Sequence, residues 1–481
     1  MENLYDKLKQ NQLSNRYPYH MPGHKRNMAG YPMEEFYGID ITEIEGFDNL
    51  HLPKEIIKDI MERAEKLFGA ETYLLVNGST GGILSAVSAA LKKGETLLMA
   101  RNCHKAAYHA AYLRECRIEY CYPEILDTFG ICGSVSPEKI RMHLEKNRKI
   151  KAVFITSPTY DGVVSDVEQI VRDAHKRGIP VIVDEAHGAH FGMDERFPKS
   201  AVECGADIVI HSIHKTLPAF TQTALLHVQG ELIERGRLRR FLQIYQTSSP
   251  SYILMAGIEQ CISIMEKERK QLYNNFFEQN KLFEKKIKKL QYIKVLSPEK
   301  MQKEVFAFDI GKKIISVREA GMTGQELYTF LLEKYGLQME MVGQDYVTAI
   351  MTAMDGSEGY TRLAEALMES DAELSKKRPE TESEKRPRIN PQEESLQPEA
   401  EYSIHEAWER CAEKLPLEQC EGEVSAEFVH IYPPGIPLIA PGERFTTAVV
   451  EQLLCYREQG LTIEGLHEEN KTAGIIRREK L

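Results

Sequence analysis

From about residue 70 to residue 230, short runs of β-branched and other apolar residues alternate with stretches whose apolar residues recur at helical spacing. Runs that are apolar on both sides of a strand need cover on both faces, so this alternation predicts an α/β fold: a mostly parallel sheet between layers of helices. Seven strands are expected, at 73–76, 96–100, 118–122, 152–156, 180–184, 207–211 and 224–228, with helices at 81–92, 137–147 and 167–177 between them. Only residues 215–222 separate the last two strands, too few for a crossover helix, so one strand is expected to run antiparallel. Residues 237–290 have a long, charged helical pattern leading to a smaller α+β domain from about Tyr292, with strands at 305–310 and 347–351.

Charge narrows the possible partners. Sixty-one Lys and Arg against 72 Asp and Glu give a net charge of −11, which argues against a nucleic-acid or anionic-membrane surface. The opening MENLYDKLKQNQLSNRYPYH is too polar for a signal peptide, and no window approaches a spanning helix, so a soluble, cytoplasmic protein is expected. The nine cysteines are odd in number and never form C-x-x-C, so mostly buried free thiols are expected rather than disulfides or a zinc ribbon, and no metal site is expected. Residues 375–401 hold four prolines and thirteen charged residues, a composition that reads as a flexible linker. Beyond it, 404–414 reads as an amphipathic helix and YPPGIPLIAPGE (432–443) as a proline-pinned turn segment.

Two segments point to chemistry. IPVIVDEAH (179–187) and DIVIHSIHKT (207–216) are apolar runs that end in polar residues, which in an open α/β sheet lie at the carboxyl ends of strands, where ligands bind. That puts Asp184 and Lys215 on one sheet edge. A lone Asp there is commonly a cap and a lone Lys a surface group, but Lys215 follows His211, Ser212 and His214 at the mouth of an apolar strand. Partial desolvation and nearby cations suit a Schiff-base lysine there. The expected cofactor is pyridoxal 5′-phosphate, an electron sink whose ring nitrogen needs a carboxylate against it, for which Asp184 is the candidate. Its phosphate suits the N–H groups at a helix start, and Asn77-Gly78-Ser79-Thr80-Gly81-Gly82 joins the first strand to an apolar helix.

GST (78–80), RNCHKA (101–106), SPTYDGVVSD (157–166), VDEAHG (183–188) and HSIHKTLPAFTQTALLH (211–227), in this order and spacing, resemble the fold-type-I pyridoxal-phosphate enzymes, whose fold is aspartate-aminotransferase-like. Within them the resemblance is to the Orn/Lys/Arg decarboxylase family. HMPGHK (20–25), GFDNLHLP (46–53), TSSPSY (247–252) and YPPGIPLIAPGE extend it over nearly the whole chain.

That resemblance implies roles motif by motif. In HSIHK, Lys215 would form the Schiff base with the cofactor, and Ser212 and His214 would lie around the phosphate. In VDEAH, Asp184 would pair with the pyridinium nitrogen; His187 would reach the phenolic oxygen. In NGST, Ser79 and Thr80 would hold the phosphate, and in RNCHK, His104 would stack on the ring. Thr247 and Ser248 of TSSP would reach the phosphate of the neighbouring subunit, making a homodimer or higher homo-oligomer, with active sites at the subunit interface, necessary for activity.

The implied domains are 1–60, an N-terminal segment contributing to the active site; 61–290, the large cofactor domain; 291–374, the small α+β domain; 375–401, the linker; and 402–481, a C-terminal domain. The implied reaction is loss of the α-carboxylate of a basic amino acid, with Lys215 or His104 returning the proton. Glu443, Asp161 and Asp48 are carboxylates available to a substrate cation, and Glu443 is the one assigned that role.

Two departures from the family pattern are visible. Gly81-Gly82 makes the loop unusually glycine-rich, and the chain starts almost directly at HMPGHK, which suggests a simple dimer or tetramer with a biosynthetic role. Arginine, giving agmatine, is the first choice of substrate, because the short form resembles biosynthetic arginine decarboxylases; lysine and ornithine are the alternatives. Another fold-type-I lyase or a non-catalytic cofactor-binding regulator ranks lower. A dinucleotide-dependent dehydrogenase would need G-x-G-x-x-G after the first strand, which is absent.

Overall fold

The apolar runs form seven strands: β1 (Glu71–Leu75), β2 (Thr96–Ala100), β3 (Arg117–Cys121), β4 (Ile150–Thr156), β5 (Val181–Asp184), β6 (Ile208–His211) and β7 (Ala224–Val228). A computed structural model describes residues 3–14, 16–30, 32–297, 304–376, 397–431, 436–458, 460–461, 463–469 and 471–477. Two units divide the chain: Met1–Ala90 with Pro180–Tyr273, and Leu91–Ile179 with Asn274–Leu481.

In the first unit the strand order is β1-β7-β6-β5. β6 is parallel to β5, while β7 is antiparallel to both β6 and β1. β7 is thus the antiparallel strand that the short 215–222 connection requires. Every residue of β5, β6 and β7 is buried, as expected for strands covered on both faces.

Helix α1 (Ile56–Phe68) buries Ile57, Ile60, Ala64 and Phe68, a stripe at helical spacing, and ends at Gly69 with φ 87°. Helix α2 (Gly78–Ala90) is apolar nearly all round. It packs so closely on the sheet that a Cβ at Gly82 would lie 2.6 Å from Leu75 Cδ1 and 3.3 Å from Ile210 Cγ2. The last glycine of the loop therefore serves helix-to-sheet packing, which explains one departure from the family pattern. The 237–290 pattern resolves into two helices, Arg235–Tyr245 and Tyr252–Ile287. TSSP separates them, where Pro250 cannot continue a helix.

In the second unit β2 lies between β3 and β4, parallel to both. A four-stranded antiparallel sheet joins Lys294–Val295, Lys312–Ser316, Tyr346–Ile350 and Met341–Val342. The 305–310 expectation needs correction: its strand, Ala307–Phe308, pairs with Val163–Val164, and Lys312–Ser316 fills the place expected for it. The 404–414 expectation is also corrected. A Ser403–Glu406 capping box starts a helix that stops at Trp408, and Ala412–Pro416 is a strand paired with Thr472–Ile476. Backbone pairing from sixty residues away overrides a local pattern that reads as helix.

Of the proposed linker, residues 377–396 lie outside the described residues; Lys376 closes the helix Ser357–Lys376, and Ala400 bridges Glu443. Residues 432–435 also lie outside them, while Pro437–Ile439 is a strand against Val429–Ile431. Among the described residues no helix is long and apolar enough to cross a membrane.

Candidate active site

β1 and β6 are both antiparallel to β7, and β5 is parallel to β6, so the carboxyl ends of β1, β5 and β6 share one edge of the first unit. Three chain segments emerge there: the glycine loop into α2, Asp184 with its following turn, and Ser212 leading into the short helix Ile213–Thr216. Gly78 takes φ +70°, a left-handed conformation open to glycine, and turns the chain into α2. Ser79 is half-buried and Thr80 exposed in the first turn, whose N–H groups have no helical partners. Gln222 Nε2 donates to the carbonyl of Val76, and Gln246 Oε1 accepts from the Val76 N–H at 2.9 Å, which ties the loop's base to both flanks.

Lys215 Nζ and His187 Nε2 are hydrogen-bonded at 2.9 Å. His187 is buried. His214 Nδ1 donates to the carbonyl of Thr223 at 2.9 Å, which fixes its tautomer; burial chiefly, then Lys215, holds its pKa below the ordinary value. Asp184 is 4% exposed and accepts from the Ala186 N–H at 3.1 Å. Burial pushes its carboxyl above the ordinary value, against the pull of Lys215, the Ala186 N–H and His211. Such a carboxylate is matched to a further cation. Ser212 Oγ is buried and makes no hydrogen bond, an orphaned polar atom at the same edge. An under-compensated buried carboxylate, an orphaned hydroxyl and an open helix start suit a group bearing both a cationic ring and a phosphate.

Thr247 and Ser248 are exposed. The Thr247 N–H faces Asn77 Oδ1 at 3.4 Å, and its carbonyl accepts from His51 Nε2 at 2.8 Å, so this segment lies beside the glycine loop of its own chain.

The other predicted residues have local partners of their own. His104, in the second unit, precedes helix α3 (Lys105–Leu113), and its Nδ1 accepts from the Ala106 N–H at 3.2 Å as an N-cap. Glu443, also in the second unit, departs from the expectation of a carboxylate open to a substrate. It is 1% exposed, and Arg101 Nη1 and Nη2 donate to its two oxygens at 2.6 and 2.9 Å. The Ala440 N–H adds a bond of 2.7 Å. Arg101 also donates to the Leu438 carbonyl and lies 4.6 Å from the Tyr120 ring centroid. Burial works against the Arg101 charge, but Glu443 and the surrounding tyrosines hold its pKa well above the ordinary value.

Asp161 is buried, accepts from Tyr346 Oη at 3.3 Å, and burial pushes its pKa up to about 6. Asp48 is partly desolvated, but the N–H groups of Glu55, Asn49, Lys54 and Ile57 outweigh that and hold its carboxyl below the ordinary value. It is a cap for α1 rather than an open charge.

Sequence reasoning missed two pairings. One is Arg101 with Glu443. The other is a chain of buried polar residues behind Asp184, of which the sequence gives one sign: His211 and His227 sit inside otherwise apolar strands.

Comparison with known proteins agrees with this fold. Residues 2–330 match the Orn/Lys/Arg decarboxylase major domain, and 388–480 match the C-terminal domain of the same family. The chain is 31% identical to an arginine decarboxylase of Bacillus subtilis (strain 168), covering 98% of this chain and 97% of the relative. It is 30% identical to an arginine decarboxylase of Bacillus anthracis, covering 99% and 97%. Among solved structures, the Francisella novicida lysine decarboxylase LdcF superposes with a TM-score of 0.83 at 19% identity, covering 98% of this chain and 81% of that one.

Proposed function

Starting from the fact that this chain belongs to the Orn/Lys/Arg decarboxylase family, we propose that it removes the α-carboxylate of L-arginine to give agmatine and carbon dioxide. The reaction class, pyridoxal-phosphate-dependent amino-acid decarboxylation on a fold-type-I scaffold, is that of the family. The choice of arginine rests on the relatives of about 30% identity, which carry that name over nearly their full length. The lysine decarboxylase neighbour shares the fold at 19% identity.

One observation carries the site: Asp184, Lys215 and the glycine loop meet at one sheet edge, with Lys215 Nζ held 2.9 Å from His187 Nε2. When bound, pyridoxal phosphate supplies a protonated ring that accepts the electrons of the breaking bond between Cα and the carboxylate. In our reading Lys215 holds the cofactor and returns a proton to Cα, and His187 steers its amine. Asp184 keeps the proton on the ring nitrogen. Ser79 and Thr80, with Ser212 and His214, bind the phosphate through N–H and hydroxyl groups. His104, with its ring fixed by the α3 cap, is assigned to the ring face on the RNCHK motif alone. Glu443 serves Arg101, and the partner of the substrate guanidinium is unassigned.

We assign 61–290 to cofactor binding, 291–374 to the small domain and 402–481 to the C-terminal domain. A homodimer completes the reading: Leu13, Tyr17, Tyr19, Met21 and Met33 of the N-terminal segment are exposed, an apolar surface suited to a second copy that would meet Thr247 and Ser248. Sedimentation of the protein tests this part.

The deciding experiment supplies pyridoxal phosphate to the purified protein, records its visible absorbance, and measures carbon dioxide release from arginine, lysine and ornithine in parallel. Release from arginine first, lost together with the visible band in Lys215→Ala, is the expected result. Absence of cofactor binding sinks the enzymatic reading, and a preference for lysine or ornithine sinks the substrate.

A further inference from the structure

Behind Asp184 lies an unbroken line of buried polar contacts. Glu185 Oε2 is 2.7 Å from His211 Nε2, His211 Nδ1 is 3.0 Å from His227 Nε2, and His227 Nδ1 is 2.8 Å from Thr72 Oγ1. Thr72 Oγ1 in turn donates to the carbonyl of Ala70 at 2.8 Å. All four side chains are at most 3% exposed, and the Phe68 ring packs against both imidazoles, with centroids 5.4 and 4.8 Å away.

Hydrogen-bond direction orders this line from its far end. The Thr72 hydroxyl proton goes to Ala70, so Thr72 must accept, and His227 must carry its proton on Nδ1. His227 is then neutral with Nε2 as an acceptor, in keeping with burial, which pushes its pKa well below the ordinary value. His211 must therefore donate from Nδ1. One proton remains, between His211 Nε2 and Glu185 Oε2. Burial pushes the Glu185 carboxyl above its ordinary value, but two neighbours draw the proton to the imidazole: the Ala201 N–H, which donates to Glu185 Oε1 at 2.9 Å and favours a carboxylate there, and the Asp184 carboxylate, with which His211 interacts. His190 faces Glu185 and Lys215 faces Asp184 as the other titratable neighbours.

We propose that Glu185, His211, His227 and Thr72 form a relay that holds His211 as an imidazolium behind Asp184, keeping the Asp184 carboxylate charged for the ring nitrogen it is assigned to hold. This rests on the proposed function, and it makes Glu185 and His211 positioning residues. Without the relay Asp184 would face its burial with one cation fewer.

Glu185→Gln is the discriminating variant. Its amide oxygen keeps the bond from the Ala201 N–H, and its amide nitrogen donates to His211 Nε2, so the side-chain shape and both contacts persist while His211 is left neutral. Two readouts apply. In ¹⁵N-histidine-labelled apoprotein, the imidazole nitrogen shifts should report His227 as the Nδ1–H tautomer and His211 as doubly protonated, with His211 becoming singly protonated in Glu185→Gln. Pyridoxal phosphate titrated into the apoprotein should bind roughly tenfold more weakly to the variant, the effect of one pKa unit at Asp184.

A neutral His211 in the wild type, or equal cofactor affinity in the two proteins, overturns the relay. If Glu185→Gln does not fold, the wild-type nitrogen shifts still decide. Failure of the wild type to bind pyridoxal phosphate would instead sink the site assignment, and the apoprotein shifts would judge the relay separately.

Discussion

Glu443→Ala should destabilise the second unit severely, whatever it does to activity. The carboxylate and its guanidinium partner are 1% and 2% exposed, and the two share a bidentate pair of hydrogen bonds at 2.6 and 2.9 Å. Truncating Glu443 leaves a desolvated Arg101 charge without its counter-ion and the Ala440 N–H without its acceptor. Breaking one side of a buried pair costs about 3–5 kcal/mol. At roughly 2–4 °C per kcal/mol for a domain of this size, the melting temperature of that unit should fall by about 6–20 °C. Differential scanning calorimetry of wild type and variant measures it. The double variant Arg101→Met/Glu443→Leu should recover most of the loss, because an apolar pair of similar volume replaces two desolvated charges. A drop under about 1 kcal/mol, typical of an exposed ion pair, would refute the structural role. A raised KM for arginine at unchanged stability would restore the substrate role first expected for Glu443.

Other perturbations test other parts of the structure. Ser212→Ala should leave the melting temperature of the apoprotein unchanged or slightly raised, because the buried hydroxyl has no partner to lose, while weakening pyridoxal phosphate binding roughly tenfold in a spectral titration. Gly82→Ala should cost about 1–3 kcal/mol in a thermal melt, the cost of overpacking, since its Cβ would meet buried Leu75 and Ile210; an unchanged melt would show that α2 can shift. Asp161 should give stability an unusual pH slope. Its folded pKa of about 6 lies above the unfolded value, so the folded state binds the proton more tightly and this stabilisation is lost as pH rises from about 4 to 6. Asp161→Asn should remove that slope, so that the variant's stability relative to wild type rises by up to about 3 kcal/mol over the window; equal pH profiles would refute it.

Strands, edge and motifs were open to reading from the sequence because their causes are local. Continuous apolar runs fix β1 to β7 to within two residues of their expected ends, and the short 215–222 connection fixes β7 as the antiparallel strand. Polar residues at the ends of such runs place Asp184 and Lys215 on one edge, since strand polarity alone decides where a carboxyl end lies. Partners distant in sequence were not legible. Arg101 and Glu443 are 342 positions apart, and only the fold could turn a carboxylate that looked available to a substrate into one side of a buried pair. The same holds for the line from Glu185 through His211 and His227 to Thr72, which draws on β1, β6, β7 and the turn after β5. Local pattern specifies what each segment is. Which buried polar atom meets which depends on how the segments pack, because desolvation forces each to find a partner wherever the fold brings one.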